Sequence, residues 1–372
     1  MTEAASTIDR LLRACLEAGA SDLHVSPGLP PHLRRHGDLS ALAGEPVVSA
    51  ESARAWADEL VIRSGLTGVE ALGDRGSVDG AVTFEGARFR FNVFRRQGLI
   101  ALAVRRLDDR FRTLGELGLP ESLLHFCTAR DGLVIVAGPT GAGKSTTLAT
   151  LIDHVNGSRS GHIITIEDPV EYLHAPRRCI VNQRQIGMDA SGFHIALVSA
   201  LRQDPDVVLV GEIRDLDTIR TAITAAETGH LVFTTLHAGD AVGAVERLVS
   251  VFPADEQDGI RRQLALVLRG IVVQRLLPAE PATSRDGRVA CSEILVNTPA
   301  VANLIANARP AQIHALMEAG ASHGMQTLEQ DLARLWTDGR ISEVTAMAAS
   351  RNPANLRERA TLLRSQRGGL IR

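Results

Sequence analysis

The 372-residue chain contains a single lysine, Lys144; every other one of its 40 Lys+Arg residues is arginine. Where a generic positive charge suffices, arginine supplies it. The one lysine therefore marks a place where a compact ammonium on a flexible stem does what a planar guanidinium cannot. Aromatic residues are scarce, at 3%, so the cores must be aliphatic. Only four cysteines occur, Cys15, Cys127, Cys179 and Cys291, far apart and without CxxC spacing. That leaves no disulfide framework and no cysteine metal site to propose, and fits a reducing compartment. No apolar run approaches the roughly 20 residues that span a bilayer, and the first residues lack the charged-then-apolar pattern of a secretory signal. The expectation is a cytoplasmic protein, working beside a membrane at most. A net charge of −3 argues against a nucleic-acid partner. Internal repeats and low-complexity tails are absent as well.

What is present is ordinary in bulk and specific in detail. Hydrophobic residues make up 45% and charged residues 22%, as in soluble globular proteins, and the length suggests two or three domains. The run Gly138-Pro139-Thr140-Gly141-Ala142-Gly143-Lys144-Ser145-Thr146 fits G-x-x-x-x-G-K-[ST], the phosphate-binding P-loop. An apolar stretch, Gly132–Ala137, reads as a buried strand feeding the loop, and a helix-prone stretch, Thr147–Val155, follows it. Glycines let several backbone N–H groups turn toward phosphates, and the helix N-terminus adds partial positive charge. All nine residues are thus expected at an ATP site, with Lys144 at the β/γ-phosphates and the Ser145 hydroxyl on Mg²⁺. A chance glycine-rich turn is the bland alternative, and the flanking strand and helix weigh against it.

Residues 1–112 read as a small α+β domain. Ile8, Leu11, Leu12 and Leu16 recur at helical spacing, Ala20–Val25 forms a short strand, and residues 50–65 form a second amphipathic helix. In Arg88–Phe94, Phe89, Phe91 and Val93 share one strand face, with Arg88, Arg90 and Asn92 on the other. Arg95, Arg96, Arg105 and Arg106 follow within a few residues. Such arginines are usually just solvated; their density here makes a phosphate-facing role for Arg90, Arg95 and Arg105 the competing reading. Leu114–Pro120 resembles a linker. Residues 113–278 alternate helix with apolar strand, the pattern of a parallel sheet in an α/β domain, with strands at Leu133–Ala137, His162–Ile166, Val207–Val210 and Leu231–Thr235. Residues 279–372 read as helical and polar, apart from a loop at 278–288.

Ligands of open parallel sheets sit at the carboxyl ends of the strands. There Ile166 runs into Glu167-Asp168-Pro169-Val170-Glu171, Val210 into Gly211-Glu212, and Phe233 into Thr234-Thr235-Leu236-His237. Transfer of a phosphoryl group to water needs a metal near the γ-phosphate and a carboxylate that orients the water. Glu212 and Glu171 are the candidates, with Thr235 and His237 placed to sense the γ-phosphate. The bland alternatives are an N-cap role for Glu212 and a structural role for His237. His230 and His237 lack metal-ligand spacing.

Together, Gly138–Thr146, ITIEDPVE from Ile164 onward through Glu171, LRQDPDVVLVGEIRD at Leu201–Asp215 and TAITAAETGHLVFTTLH at Thr221–His237 resemble the secretion ATPase superfamily, most of all its type IV pilus retraction members, PilT and PilU. SDLHVSPGLPPHLRRHGD at Ser21–Asp38, VFPADEQ at Val251–Gln257 and GMQTLEQD at Gly324–Asp331 extend the likeness over nearly the whole chain. The resemblance implies a PAS-like α+β N-terminal domain, a RecA-like P-loop ATPase domain and a helical C-terminal part. It also implies a homo-hexameric ring, peripheral at the inner face of the inner membrane and acting on a pilus platform protein. Carried over by position, Walker A falls on Gly138–Thr146 and an Asp box on Ile166–Glu171. Walker B falls on Val207–Glu212, with Glu212 a catalytic residue near the Mg²⁺ and Glu171 a second catalytic carboxylate. A His box spans His230–His237, with His230 at the nucleotide. The tetracysteine zinc motif and extra N-terminal domain of the extension ATPases have no counterpart here, which favours retraction over an extension-type secretion ATPase; a DNA-translocating hexamer is the other rival. In the helical part, Ala300–Asn307 keeps the apolar positions of the retraction motif Ala-Ile-Arg-Asn-Leu-Ile-Arg-Glu but replaces its charges with Ala302, Ala306 and Asn307. That points to an accessory, PilU-like motor working with a second retraction ATPase; Arg309 as the replacement charge is the alternative.

Overall fold

In the computed structural model, residues 7–35, 38–107, 110–281, 283 and 287–369 are described. They form two units. One is built from the described residues of Met1–Arg110 with Glu167–Leu173 and Arg184–Ser191; the other comprises the remainder of Phe111–Arg372.

The first unit is a helix-covered antiparallel sheet of six strands: β1 (Asp22–Val25), β2 (His32–Arg35), β3 (Asp38–Ala41), β4 (Ser77–Phe84), β5 (Ala87–Arg96) and β6 (Leu99–Arg106). Their spatial order is β3-β2-β1-β6-β5-β4. Strict alternation along β5 buries Phe89, Phe91 and Val93 to within 1% and leaves Arg88, Arg90 and Asn92 half-buried on the other face. The two hairpins β4–β5 and β5–β6 turn through Glu85-Gly86 and Gln97-Gly98, all four residues at positive φ. That is the twist-compatible two-residue turn. Ile8, Leu11, Leu12 and Cys15 are fully buried along the Thr7–Glu17 helix. The Ala50–Arg63 helix is capped by Ser49, whose hydroxyl accepts from Ser52 N at 3.1 Å.

The second unit holds most of a seven-stranded sheet: β7 (Gly132–Ala137), β8 (Gly161–Glu167), β9 (Cys179–Gln185), β10 (Val207–Val210), β11 (Leu231–Leu236), β12 (Leu268–Pro278) and β13 (Arg288–Val296). The order is β13-β12-β7-β11-β10-β8-β9. β12, β7, β11, β10 and β8 run parallel, as an α/β P-loop core requires, while β13 is antiparallel to β12. Every residue of β7, β10 and β11 is buried, and the Lys144–Ser158 and Leu216–Glu227 helices pack on β7 and β11.

Two stretches differ from their sequence reading. Leu114–Pro120 is packed rather than spacer-like. Thr113 and Glu116 form a capping box, and Leu114 and Leu119 enter the core of the second unit. The second is β13, which lies in the stretch read as helical. Seven of its nine residues are buried without a break, and a strand covered on both faces shows no period-two signal to separate it from a buried helix. Beyond it come the expected helices, Pro299–Ala306, Ile313–Ala319, Leu328–Thr337, Glu343–Ala349 and Pro353–Gly369. Among the described residues no helix is long and apolar enough to cross a membrane. All four cysteines are buried as free thiols.

Candidate functional site

β7 delivers the chain into a loop that only glycine permits. Gly138 has φ 145°, and a Cβ there would lie 2.3 Å from the carbonyl oxygen of Gln274 on β12. Gly143 has φ 88°, and its Cβ would meet the Gln274 amide nitrogen at 2.8 Å. Ala142 is buried beneath the loop, whereas Pro139, Thr140, Gly141 and Ser145 are exposed on it and Thr146 is half-buried. The Lys144–Ser158 helix starts at Gly143 with no side chain capping its first turn. Its leading N–H groups therefore face the loop mouth, where an anion is the natural acceptor.

Lys144 folds back over this mouth, its Nζ donating to the carbonyl oxygens of Gly138 at 3.0 Å and Pro139 at 2.9 Å. Burial lowers its pKa, and the Glu212 carboxylate opposes that shift. Glu212 lies just beyond β10, with Oε2 2.8 Å from Arg214 Nη2. Asp215, not Glu212, caps the Leu216–Glu227 helix, accepting from Thr218 N at 2.8 Å. The bland role proposed for Glu212 is thus taken by its neighbour. Gly211 is fixed between its N–H to Ile166 O, at 2.8 Å, and its carbonyl, which accepts the Thr235 hydroxyl at 2.6 Å. Thr235 is accordingly spent on holding backbone.

His237 ends the β11 segment. Burial lowers its pKa, the Lys144 ammonium lowers it further, and Glu212 pulls the other way. Burial and the Lys144 ammonium thus favour the uncharged ring, against the pull of Glu212. The fold therefore assembles the nine loop residues, Glu212 and His237 at one end of the sheet. His230 is not among them. It precedes β11 at the strand's amino end, with Nδ1 3.0 Å from the Ala225 carbonyl, and six residues of strand, about 20 Å, separate it from His237. Glu171 and Arg90 belong to the first unit, where they face one another at 3.8 Å. Arg105 pairs there with the buried Asp22 at 2.7 Å, and Arg95 reaches the Gly73 carbonyl at 3.4 Å.

Two contributors escaped the sequence reading. Gln274 is buried under the loop and accepts the Thr147 hydroxyl at 2.7 Å. A lone amide inside Ile271-Val272-Val273-Gln274 was the available signal. Arg214 is the other, visible only as one charge of Glu212-Ile213-Arg214.

For a divalent cation, the donors on offer are hard oxygens, the exposed Ser145 hydroxyl and the Glu212 carboxylate. They fit Mg²⁺, which takes one or two protein oxygens and completes its shell with phosphate and water. Among the described residues no cluster of three His, Cys, Asp or Glu side chains could hold a metal without such help.

The profile of the family described as type II/IV secretion system protein matches residues 3–346. The chain belongs to that family. Its PilT/PilU side is indicated by two relatives from Pseudomonas aeruginosa. The type IV pilus retraction ATPase PilT is 41% identical over 349 residues, covering 94% of this chain and 99% of its own. The type IV pilus ATPase PilU is 39% identical over 353 residues, covering 94% and 90%. The crystal structure of the pilus retraction motor PilT with bound ADP superposes with a TM-score of 0.87 at 40% identity, covering 94% of this chain and 99% of that one. This PilT/PilU-family chain is an ATPase with an α/β P-loop core.

Proposed function

We propose that the chain is the hydrolysing subunit of a type IV pilus retraction motor, a homo-hexameric ring at the cytoplasmic face of the inner membrane that acts on a pilus platform protein. The observation that carries this is the loop mouth itself. Left-handed glycines, a back-folded Lys144, Glu212 and His237 meet where β7, β10 and β11 end, in a family whose relatives are named for pilus retraction.

The loop N–H groups and Lys144 neutralise the β- and γ-phosphates, a charge-assisted contact that strengthens as negative charge moves toward the leaving oxygen. Glu212 orients water in line with the γ-phosphorus and accepts its proton. The water oxygen bonds to phosphorus as the β–γ bridging P–O bond breaks, giving ADP and phosphate. The Ser145 hydroxyl and the Glu212 carboxylate would hold Mg²⁺, which would supply further neutralisation of the phosphate oxygens. The His237 ring N–H can donate to the γ-phosphate and lose that acceptor after release. Contacts that differ between ATP and ADP are what a motor needs, since a ligand binding both states equally shifts nothing.

Nucleotide titration and phosphate release test the reading. Lys144→Ala loses nucleotide affinity. Glu212→Gln binds ATP but turns it over about 10²–10⁴-fold more slowly. Undiminished turnover in Glu212→Gln removes it from the mechanism, and a wild-type chain that binds ATP without releasing phosphate removes the motor assignment.

A further inference from the structure

Nothing in the mechanism above explains what aims His237. Its ring makes no hydrogen bond among the described residues, so its direction is set by the main chain on either side. Upstream, that chain is tied by Gly138 N to Leu236 O at 3.2 Å and by the Thr235 hydroxyl to Gly211 O. Downstream, the anchors are of another kind. The Gly239 carbonyl accepts from Arg275 Nη2 at 3.2 Å and also from Arg351 Nη2. Asp240 caps the Ala241–Ser250 helix through Gly243 N at 2.6 Å. Ala241 N donates to Glu293 Oε1 at 2.7 Å, and Arg351 Nη1 lies 3.4 Å from Glu293 Oε2.

Arg351 comes from far along the chain, between the Glu343–Ala349 and Pro353–Gly369 helices. Its own backbone is fixed: Arg351 N donates to Glu329 Oε1 at 3.1 Å, and Arg275 Nη1 donates to Ala349 O at 3.1 Å. One guanidinium thus reaches the Gly239 carbonyl, the Glu293 carboxylate and, at 3.5 Å, Asp240. The Asp240 pair is more than a third exposed on both sides and is worth little by itself. Glu293 differs, being only 4% exposed; a carboxylate so buried demands its partners. Arg275, the second donor to Gly239, directly follows Gln274, which supports the P-loop helix through Thr147.

Resting on the assignment of His237 to the nucleotide site, we infer that Arg351 is a positioning residue: by clamping the Gly239 carbonyl and Glu293 together it holds the strand exit that aims His237. The C-terminal helices are thereby part of the hydrolytic machinery. Whatever shifts the Ser350–Asn352 junction shifts the loop two residues from the ring, with no contact to nucleotide.

The test uses the full-length chain and measures kcat, KM for ATP and melting temperature of Arg351→Ala, Arg351→Lys, His237→Ala and the His237→Ala/Arg351→Ala double variant. Arg351→Ala is expected to lower kcat about tenfold and leave KM within about twofold, since the clamp touches no bound group. Lysine keeps a positive charge beside Glu293 but lacks the fork that also spans to Gly239 O. Arg351→Lys should therefore regain the wild-type melting temperature without regaining kcat. If Arg351 acts through His237, the double variant is no slower than His237→Ala alone. Multiplied losses in the double variant, or recovery of kcat with melting temperature in Arg351→Lys, overturn the inference and make Arg351 a structural residue. A wild-type kcat in His237→Ala overturns it by a different route, taking His237 itself out of the site.

Discussion

The hydroxyl of Thr147 donates to the side-chain carbonyl of Gln274 at 2.7 Å, and neither residue is more than 3% exposed. This bond ties the first turn of the P-loop helix to β12. The backbone of the same glutamine lies where a Cβ at Gly138 would have to go. Thr147→Val keeps the shape and strands a buried acceptor, at a cost of about 1–3 kcal/mol. Melting should drop by several degrees for a unit of this size, with nucleotide affinity changed far less. An unaltered melting temperature would show that water replaces the hydroxyl.

Gly138 and Gly141 make a matched pair. Both have positive φ, but an added Cβ meets Gln274 O at 2.3 Å at position 138 and nothing within 4 Å at position 141. Gly141→Ala carries backbone strain alone, on the order of 1–2 kcal/mol. Gly138→Ala must also push the loop off β12. Titration with a fluorescent ATP analogue should show at least tenfold weaker binding for Gly138→Ala than for Gly141→Ala. Equal affinities would mean that the loop is not braced by β12.

How much of this was legible beforehand follows from how local each signal is. The P-loop is a run of adjacent residues whose chemistry dictates its own backbone, and β10 was placed residue for residue. β13 was invisible because continuous burial erases its period. Gln274 showed only as a lone amide in an apolar run and Arg351 not at all, because the fold alone brings them to Thr147 and Gly239, 127 and 112 positions away. Glu171 shows the converse. Proximity in sequence to the end of β8 suggested company with Glu212, yet its segment belongs with the first unit and with Arg90.

Acid should find a weak point at His174. The ring is 6% exposed and lies 4.7 Å, centroid to centroid, from Phe111; its Nδ1 has no hydrogen-bond partner among the described residues. Burial pushes its pKa down to about 4. An unfolded chain takes this proton near pH 6.5, before the folded one does. Stability is therefore intact above that pH and falls as pH drops toward 4, by about 3 kcal/mol in all. Melting temperature against pH between 7 and 4.5 should slope less in His174→Leu than in wild type. Identical slopes would assign the acid sensitivity elsewhere.

The three arginines proposed for the nucleotide differ in their commitments. Arg105 is paired at 2.7 Å with a buried aspartate, whereas the ion pairs of Arg90 are at 3.8 and 3.9 Å. Arg90→Ala subunits, mixed with Lys144→Ala subunits, should recover part of the ATPase activity if a guanidinium from one subunit completes the phosphate site of another. Absence of recovery in rings shown to be mixed speaks against a shared site.

On the Pro299–Ala306 helix, Val301 and Ile305 are fully buried and Leu304 partly so. The helix packs as the apolar spacing requires, while Ala302, Ala306 and Asn307 leave its remaining face without charge. With identities of 41% to PilT and 39% to PilU, sequence distance does not choose between principal and accessory motor. Expressed alone in cells lacking every retraction ATPase, this chain should support little twitching. Full motility would make it the principal motor.

The lone lysine has a chemical consequence. Lys144 carries the only side-chain amine in the protein, and burial lowers its pKa, so more of it is unprotonated and nucleophilic at a given pH. Acylating reagents thus have one internal target, and it is the one that bound phosphates would shield. Amine labelling becomes an active-site titration once peptides are mapped by mass: the Lys144 adduct forms in the nucleotide-free protein and is suppressed by ATP, while the α-amino group labels in both and serves as the internal reference.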